Sequence, residues 1–118
     1  MCGSRVDGDI NVTSSAKYVL VGDAGDDGTP ACAGNTLKGT TTIFASQGQA
    51  EVSGNTITDD LIIDESSGTG PDEESTQTEI EANKIGGSLF CLGNTPPPTN
   101  DGQPNTITGQ GFDQCAGF

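Results

Sequence analysis

Four segments of the chain begin with asparagine, place an aliphatic residue two positions later and continue into a short alternating stretch. They are Asn35-Thr-Leu37, Asn55-Thr-Ile57, Asn83-Lys-Ile85 and Asn105-Thr-Ile107, with the asparagines 20, 28 and 22 residues apart. A unit of that length holds a few short strands and cannot bury an apolar face alone, so stacking successive units is the arrangement open to it. The repeat predicts an all-β coil, a β-solenoid, with each asparagine at one recurring bend.

Aligned on the asparagines, the units also share a residue four positions later: Gly39, Asp59, Gly87 and Gly109. The opening segment joins the frame when Ser4 takes the asparagine place, because Val6, Gly8, Ile10 and Val12 then fall into register. This gives about five coils. Strand side chains alternate with period two, so Val52, Ile57, Leu61 and Ile63 are the expected interior of one coil. Ile80, Ile85, Leu89 and Cys91 take those places in the next, and Thr41 and Ile43 in the one before. An asparagine at a tight bend bonds to backbone and tolerates the left-handed conformation. Repeated at strand spacing, Asn35, Asn55, Asn83 and Asn105 are expected to bond to one another as a ladder.

Composition supports a coil over a conventional globule. The 118 residues are 31% hydrophobic and 4% aromatic, lack Trp and include 18 Gly, so an aromatic-filled interior is not available. High acidity with modest hydrophobicity is also the signature of disorder, but the recurring apolar phrases oppose that reading. With 4 Lys+Arg against 17 Asp+Glu the formal charge is -13, which disfavours nucleic acid and anionic membranes as partners. No stretch reaches the apolar length of a membrane span, and no secretory signal is visible, so the expectation is a mature form or a chain whose initiator Met replaces a removed segment. Its four cysteines, Cys2, Cys32, Cys91 and Cys115, point to an oxidising setting, secreted or at the cell surface. Four cysteines allow three connectivities. His and CxxC are absent, leaving little basis for a zinc or thiol-redox centre.

With these phrases laid out, the chain resembles the right-handed parallel β-helix, over roughly residues 4–113. The resemblance implies the handedness, which spacing does not provide, and implies a single domain with long surface insertions. It carries no catalytic residue onto this chain, because that fold family is functionally diverse. The stretch from Asn83-Lys-Ile-Gly-Gly-Ser-Leu-Phe-Cys91 to Gln114-Cys-Ala-Gly-Phe118 also resembles the C-terminal end of uncharacterised secreted actinobacterial proteins.

A coil leaves its first and last turns with exposed apolar faces and strand edges, which need capping. Cys2 lies two positions before Ser4 and Cys32 three before Asn35, so the two fall on adjacent coils. Cys91 follows Asn83 by eight and Cys115 follows Asn105 by ten. The expected bridges are Cys2–Cys32 and Cys91–Cys115. Buried free thiols are the competing arrangement.

The links that depart from the minimal coil, 22–31, 64–78 and 94–104, are expected to be flexible surface insertions and the place where binding would occur. Asp23, Asp26 and Asp27 form a candidate binding group with the oxygen chemistry of a calcium site. Their spacing matches neither an EF-hand loop nor a calcium nonapeptide, so a solvated acidic turn competes with that reading. An enzyme acting on polysaccharide would draw on Asp59, Asp60 and Asp64, with Asp7 or Asp9 from a neighbouring coil. The lack of His and Trp and the scarcity of Lys and Arg equip such a site poorly. Outward Thr36, Thr56, Thr58, Thr106 and Thr108 form a threonine array, as in ice-binding solenoids, interrupted by Lys38, Lys84 and Gly86. The expected function is a non-enzymatic, extracytoplasmic structural or adhesive module that meets a glycan or surface protein. The alternatives are a polysaccharide-acting enzyme and a calcium-dependent glycan-binding module. An enzyme should gather carboxylates in one groove, whereas a binding module should show an uncharged or aromatic patch around Tyr18, Phe44, Phe90, Phe112 or Phe118.

Overall fold

The computed structural model describes residues 1–25, 31–70 and 76–118. Through these residues the chain runs β1 (Arg5–Val6), β2 (Ile10–Thr13), β3 (Val19–Val21), β4 (Thr36–Leu37), β5 (Thr41–Phe44), β6 (Ala50–Ser53) and β7 (Thr56–Ile57). It continues through β8 (Leu61–Asp64), β9 (Glu79–Glu81), β10 (Lys84–Ile85), β11 (Leu89–Leu92), β12 (Thr106–Ile107) and β13 (Gly111–Asp113). The strands form three parallel sheets. Sheet A has the order β1-β4-β7-β10-β12, sheet B β2-β5-β8-β11-β13 and sheet C β3-β6-β9. Each strand pairs with its counterpart one repeat away, which is the periodic, solenoid-type arrangement that the asparagine phrases require.

Register follows the sequence alignment. Leu37 pairs with Ile57 and Ile57 with Ile85 on sheet A, while Leu61 pairs with Leu89 and Ile43 with Ile63 on sheet B. Val52 pairs with Ile80 on sheet C. All of these side chains are buried in one apolar cluster that the three sheets share. Withdrawing each large aliphatic side chain from water is worth about 1.5–3 kcal/mol, so the stacked columns are the main source of stability. Thr41 occupies a column whose neighbours are Ile10 and Leu61. It is fully buried, and its hydroxyl has no hydrogen-bond partner among the described residues.

Each connection from sheet A to sheet B is three residues long, so the two sheets are held in fixed register to one another. The connections pack closely. A Cβ placed on Gly39 would lie 2.6 Å from the carbonyl carbon of Gly8, and one on Gly87 would lie 2.8 Å from that of Asp59. This explains why glycine recurs four positions after the asparagine. After sheet B the chain turns through left-handed residues in successive repeats: Ser14 (φ 53°), Ala45 (φ 56°), Glu65 (φ 56°) and Gly93 (φ 69°). Each non-glycine there costs on the order of 1 kcal/mol, which the surrounding ladder offsets.

Disulfides join Cys2 to Cys32 and Cys91 to Cys115, with Cα atoms 5.3 and 5.5 Å apart. The first pair lies at the outer edge of the first repeat. The second is buried at the opposite end, where Phe118 also packs against the core. With sequence separations of 30 and 24, each bridge contributes about 3–4 kcal/mol in the chain-entropy treatment.

Candidate functional site

The polar residues singled out by the repeat hold the backbone. Asn55 Nδ2 donates to Asn83 Oδ1 at 3.0 Å and to the carbonyl of Val21 at 2.7 Å, while Asn55 Oδ1 accepts from Asn35 N at 2.9 Å and Asn35 Nδ2 at 2.8 Å. Asn83 makes the same pair of contacts to Asn105 and donates to Val52 O, and Asn35 Oδ1 accepts from Ser4 N. The ladder thus runs from Ser4 to Asn105. Its amides are engaged at both ends, which makes them structural groups and not reagents.

A second polar corner lies between sheets B and C. Asn94 Oδ1 accepts from Ser66 N at 2.9 Å, and Gln114 Oε1 accepts from Asn94 N at 2.9 Å and Asn94 Nδ2 at 3.1 Å. Gln49, fully buried, donates to Gly68 O and accepts from the Thr78 hydroxyl. The residue types change from repeat to repeat here, so no sequence phrase marks this corner.

Most of the acidic candidates have similar duties. Asp9 Oδ1 accepts from Thr40 N at 2.9 Å, Asp60 Oδ1 from Ser88 N at 2.8 Å and Asp64 Oδ1 from Leu92 N at 2.8 Å. Asp9 and Asp60 share the corner before sheet B but are separated by the repeat that carries Thr40, so they do not form a pair. Asp59 is exposed beside them. Asp7 lies across from Arg5 at 3.1 Å and Lys38 at 3.4 Å. Asp23 is buried and accepts from Gly25 N at 2.6 Å. Asp26 and Asp27 lie outside the described residues, and among the described residues no three His, Cys, Asp or Glu gather as metal ligands.

Carboxylates do gather on the outward face of sheet C. Glu51 pairs in register with Glu79, and Ser53 with Glu81. All three glutamates are buried although they face away from the core. The Tyr18 hydroxyl donates to Glu51 Oε2 at 2.8 Å, and the Ser53 hydroxyl donates to Glu81 Oε1 at 2.9 Å while accepting from Ala24 N. An open cleft of about 350 Å³ lies nearby, with Lys17, Tyr18, Gln47 and Thr69 in its walls. The alternating sequence Ala50-Glu-Val-Ser53 reads as a half-buried strand with Glu51 toward water. Its burial depends on cover from remote parts of the chain, which alternation does not encode.

The outward face of sheet B is of a different kind. One row across it reads Asn11, Thr42, Ile62, Phe90 and Phe112, and the next reads Thr13, Phe44, Asp64 and Leu92. Phe44, Leu92 and Phe112 are exposed, and Ile62 and Phe90 half-buried. The Phe90 and Phe112 rings stack with centroids 4.9 Å apart and planes 8° from parallel. The five apolar side chains share the outward face of four adjacent strands, with Asp64 between Phe44 and Leu92, in a protein whose net charge is -13. A sequence signal for it existed: Thr42, Ile62, Phe90 and Phe112 each stand seven residues after a ladder asparagine. Of the other two aromatics named from sequence, Tyr18 belongs to the glutamate cluster and Phe118 to the end of the core.

Compared with protein-family models, with curated proteins and with solved structures, the chain matches none. The likeness to secreted actinobacterial proteins expected for residues 83–118 therefore has no support, and the repeat architecture stands on its own geometry. Among the described residues no helix is long and apolar enough to cross a membrane.

Proposed function

We propose that the chain is a short right-handed parallel β-helix of about five coils, a secreted or cell-surface structural or adhesive module that meets its partner through the outer face of sheet B. The observation that carries this reading is the grouping of Phe44, Ile62, Phe90, Leu92 and Phe112 on one outward face. Apolar side chains held in a fixed plane bury area on contact with little further loss of conformational freedom. Two disulfides accord with an oxidising compartment. The partner is a glycan or a protein of the same surface. The test is retention on immobilised glycans and matrix proteins, with and without calcium. Phe90→Ser should abolish retention of the native protein. Retention that survives Phe90→Ser and disappears on calcium removal would move the contact to the acidic link around Asp23.

A second reading has its own observation, the gathering of Glu51, Glu79 and Glu81 on sheet C. Paired carboxylates serve glycoside hydrolysis as acid and base or nucleophile. Their burial and their bonds to Tyr18 and Ser53 favour a structural network instead. Release of reducing ends from a polysaccharide panel, abolished by Glu51→Gln in a folded protein, would establish the enzyme reading.

A further inference from the structure

The face of sheet B also indicates what kind of partner it fits. We infer that its occupant is a protein surface presenting a flat apolar strip flanked by lysine or arginine; this rests on the reading of sheet B as the contact face.

The first argument is the orientation of the rings. Phe90 and Phe112 are register partners on adjacent strands, with centroids 4.9 Å apart and planes within 8° of parallel. Two rings lying side by side on the sheet at that separation would overlap, so they stand face to face and turn their edges outward. Sugars pack on the faces of aromatic rings, and here the stack takes one face of each ring, leaving the outer face of Phe112 on the edge strand as the single platform. The patch offers ring edges and the aliphatic Ile62 and Leu92, which suit side-chain packing between sheets better than a pyranose ring.

The second argument is charge. Where the strands of sheet B begin, the rim carries Asp9, Asp59 and Asp60, and where they end it carries Glu65, while Asp64 stands within the outward face between Phe44 and Leu92. The chain has 4 basic residues, and none lies on sheet B: Arg5 and Lys84 belong to strands of sheet A, Lys38 directly follows one and Lys17 precedes sheet C. An apolar strip bordered on both sides by carboxylates is complementary to an apolar strip bordered by cations. It repels a second copy of this chain, whose corresponding face has the same rim.

The probe is a short blocked peptide alternating leucine and lysine, followed by fluorescence anisotropy against the intact, disulfide-bonded protein. Controls replace its leucines by serine or its lysines by glutamate. Saturable binding by the leucine–lysine peptide alone is expected, with complete loss in Phe90→Ser. The exposed rim variants Asp59→Lys and Glu65→Lys, combined, should weaken it on the order of tenfold at low salt and much less at high salt. Circular dichroism confirms that each variant is folded. Equal binding of the serine–lysine peptide, or no response to the rim reversal, would overturn the inference by reducing the effect to bulk charge or to apolar contact alone. If the peptide does not bind while Phe90-dependent retention on a glycan persists, the contact face stands and the partner class is wrong. If neither binds through Phe90, both fall.

Discussion

Sheets A and B are built by the same repeat, contain five strands each and are joined by connections of constant length, yet their outward faces differ. One row on sheet A reads Arg5, Thr36, Thr56, Lys84 and Thr106, while the corresponding row on sheet B reads Asn11, Thr42, Ile62, Phe90 and Phe112. The threonine array noted in the sequence is therefore real as a row but broken by Arg5 and Lys84, and it is hydrophilic throughout. The inward faces are both largely aliphatic, with Val, Leu and Ile along sheet A and Leu, Ile and Val interrupted by Thr41 and Cys91 along sheet B. Stacking constrains what points inward and what sits at the bends. It leaves the outward positions open, and function is free to differ there.

The strongest way to break this comparison is to remove what both faces share. In Asn55→Ala the buried N–H of Asn35 loses its partner, the carbonyl of Val21 loses its side-chain donor, and the side-chain link from Asn35 to Asn83 is cut. Each stranded buried group costs about 1–3 kcal/mol, so a loss of about 3 kcal/mol or more is expected. Both faces should suffer together. Hydrogen exchange would reveal it as faster exchange at Thr36 and at Thr42 alike. Protection lost on sheet A alone would show that the faces are not mechanically one body.

The next effect runs the other way and concerns the inner side of sheet B. Thr41 stands fully buried between Ile10 and Leu61, with a hydroxyl that has no partner among the described residues. Thr41→Val replaces the hydroxyl by a methyl of similar size and removes its desolvation penalty. Stabilisation of about 1–2 kcal/mol is expected, read as a higher urea midpoint with unchanged slope. The outward face should be untouched, and binding through Phe90 should be retained.

What the sequence made legible follows the same division. The asparagine register placed the interior, because each inward residue must meet its equivalent one repeat away and a mismatch is costly. Ile57 and Ile85 had no alternative. Ser66, Asn94 and Gln114 form as continuous a corner, but only Asn94 and Gln114 reach a backbone N–H with their side chains, by different lengths, while Ser66 joins through its own N–H, so the three share no phrase. Glu51 and Glu79 sit at positions that alternation assigns to water, and their burial is a tertiary effect. The patch on sheet B was visible only as a list of aromatics without a common face. Their shared spacing from the asparagines acquires meaning once the turns between the sheets are known to be of constant length.

A smaller effect tests whether the patch is there for stability. Phe90 and Phe112 stack, an arrangement worth about 0.5–1.5 kcal/mol beyond area burial. Phe90→Thr, which gives sheet B the residue type of sheet A, should cost about 1 kcal/mol, while Thr56→Val on sheet A should change stability by less than about 0.5 kcal/mol. Paired thermal melts measure both. A loss several times larger in Phe90→Thr would mean that the outer ring is part of the core, and the patch would then need no partner to explain it.

The smallest expected effect belongs to sheet A and its charges. Loss of hydration pushes the Asp7 carboxyl up, but the charges of Arg5 and Lys38 and their hydrogen bonds outweigh this and hold it below its ordinary value. A carboxyl whose folded pKa is depressed contributes stability that is fully present above its unfolded pKa and disappears as pH falls through the folded one. Asp7→Asn should therefore lower the urea midpoint slightly at neutral pH, and the difference from the parent protein should vanish as the solution is acidified below the usual carboxylate range. Salt should shrink it at neutral pH, because all three side chains are largely exposed. A difference independent of both pH and salt would show that Asp7 acts through the geometry of its corner. In that case the two faces would differ in chemistry while sharing even this part of their mechanics.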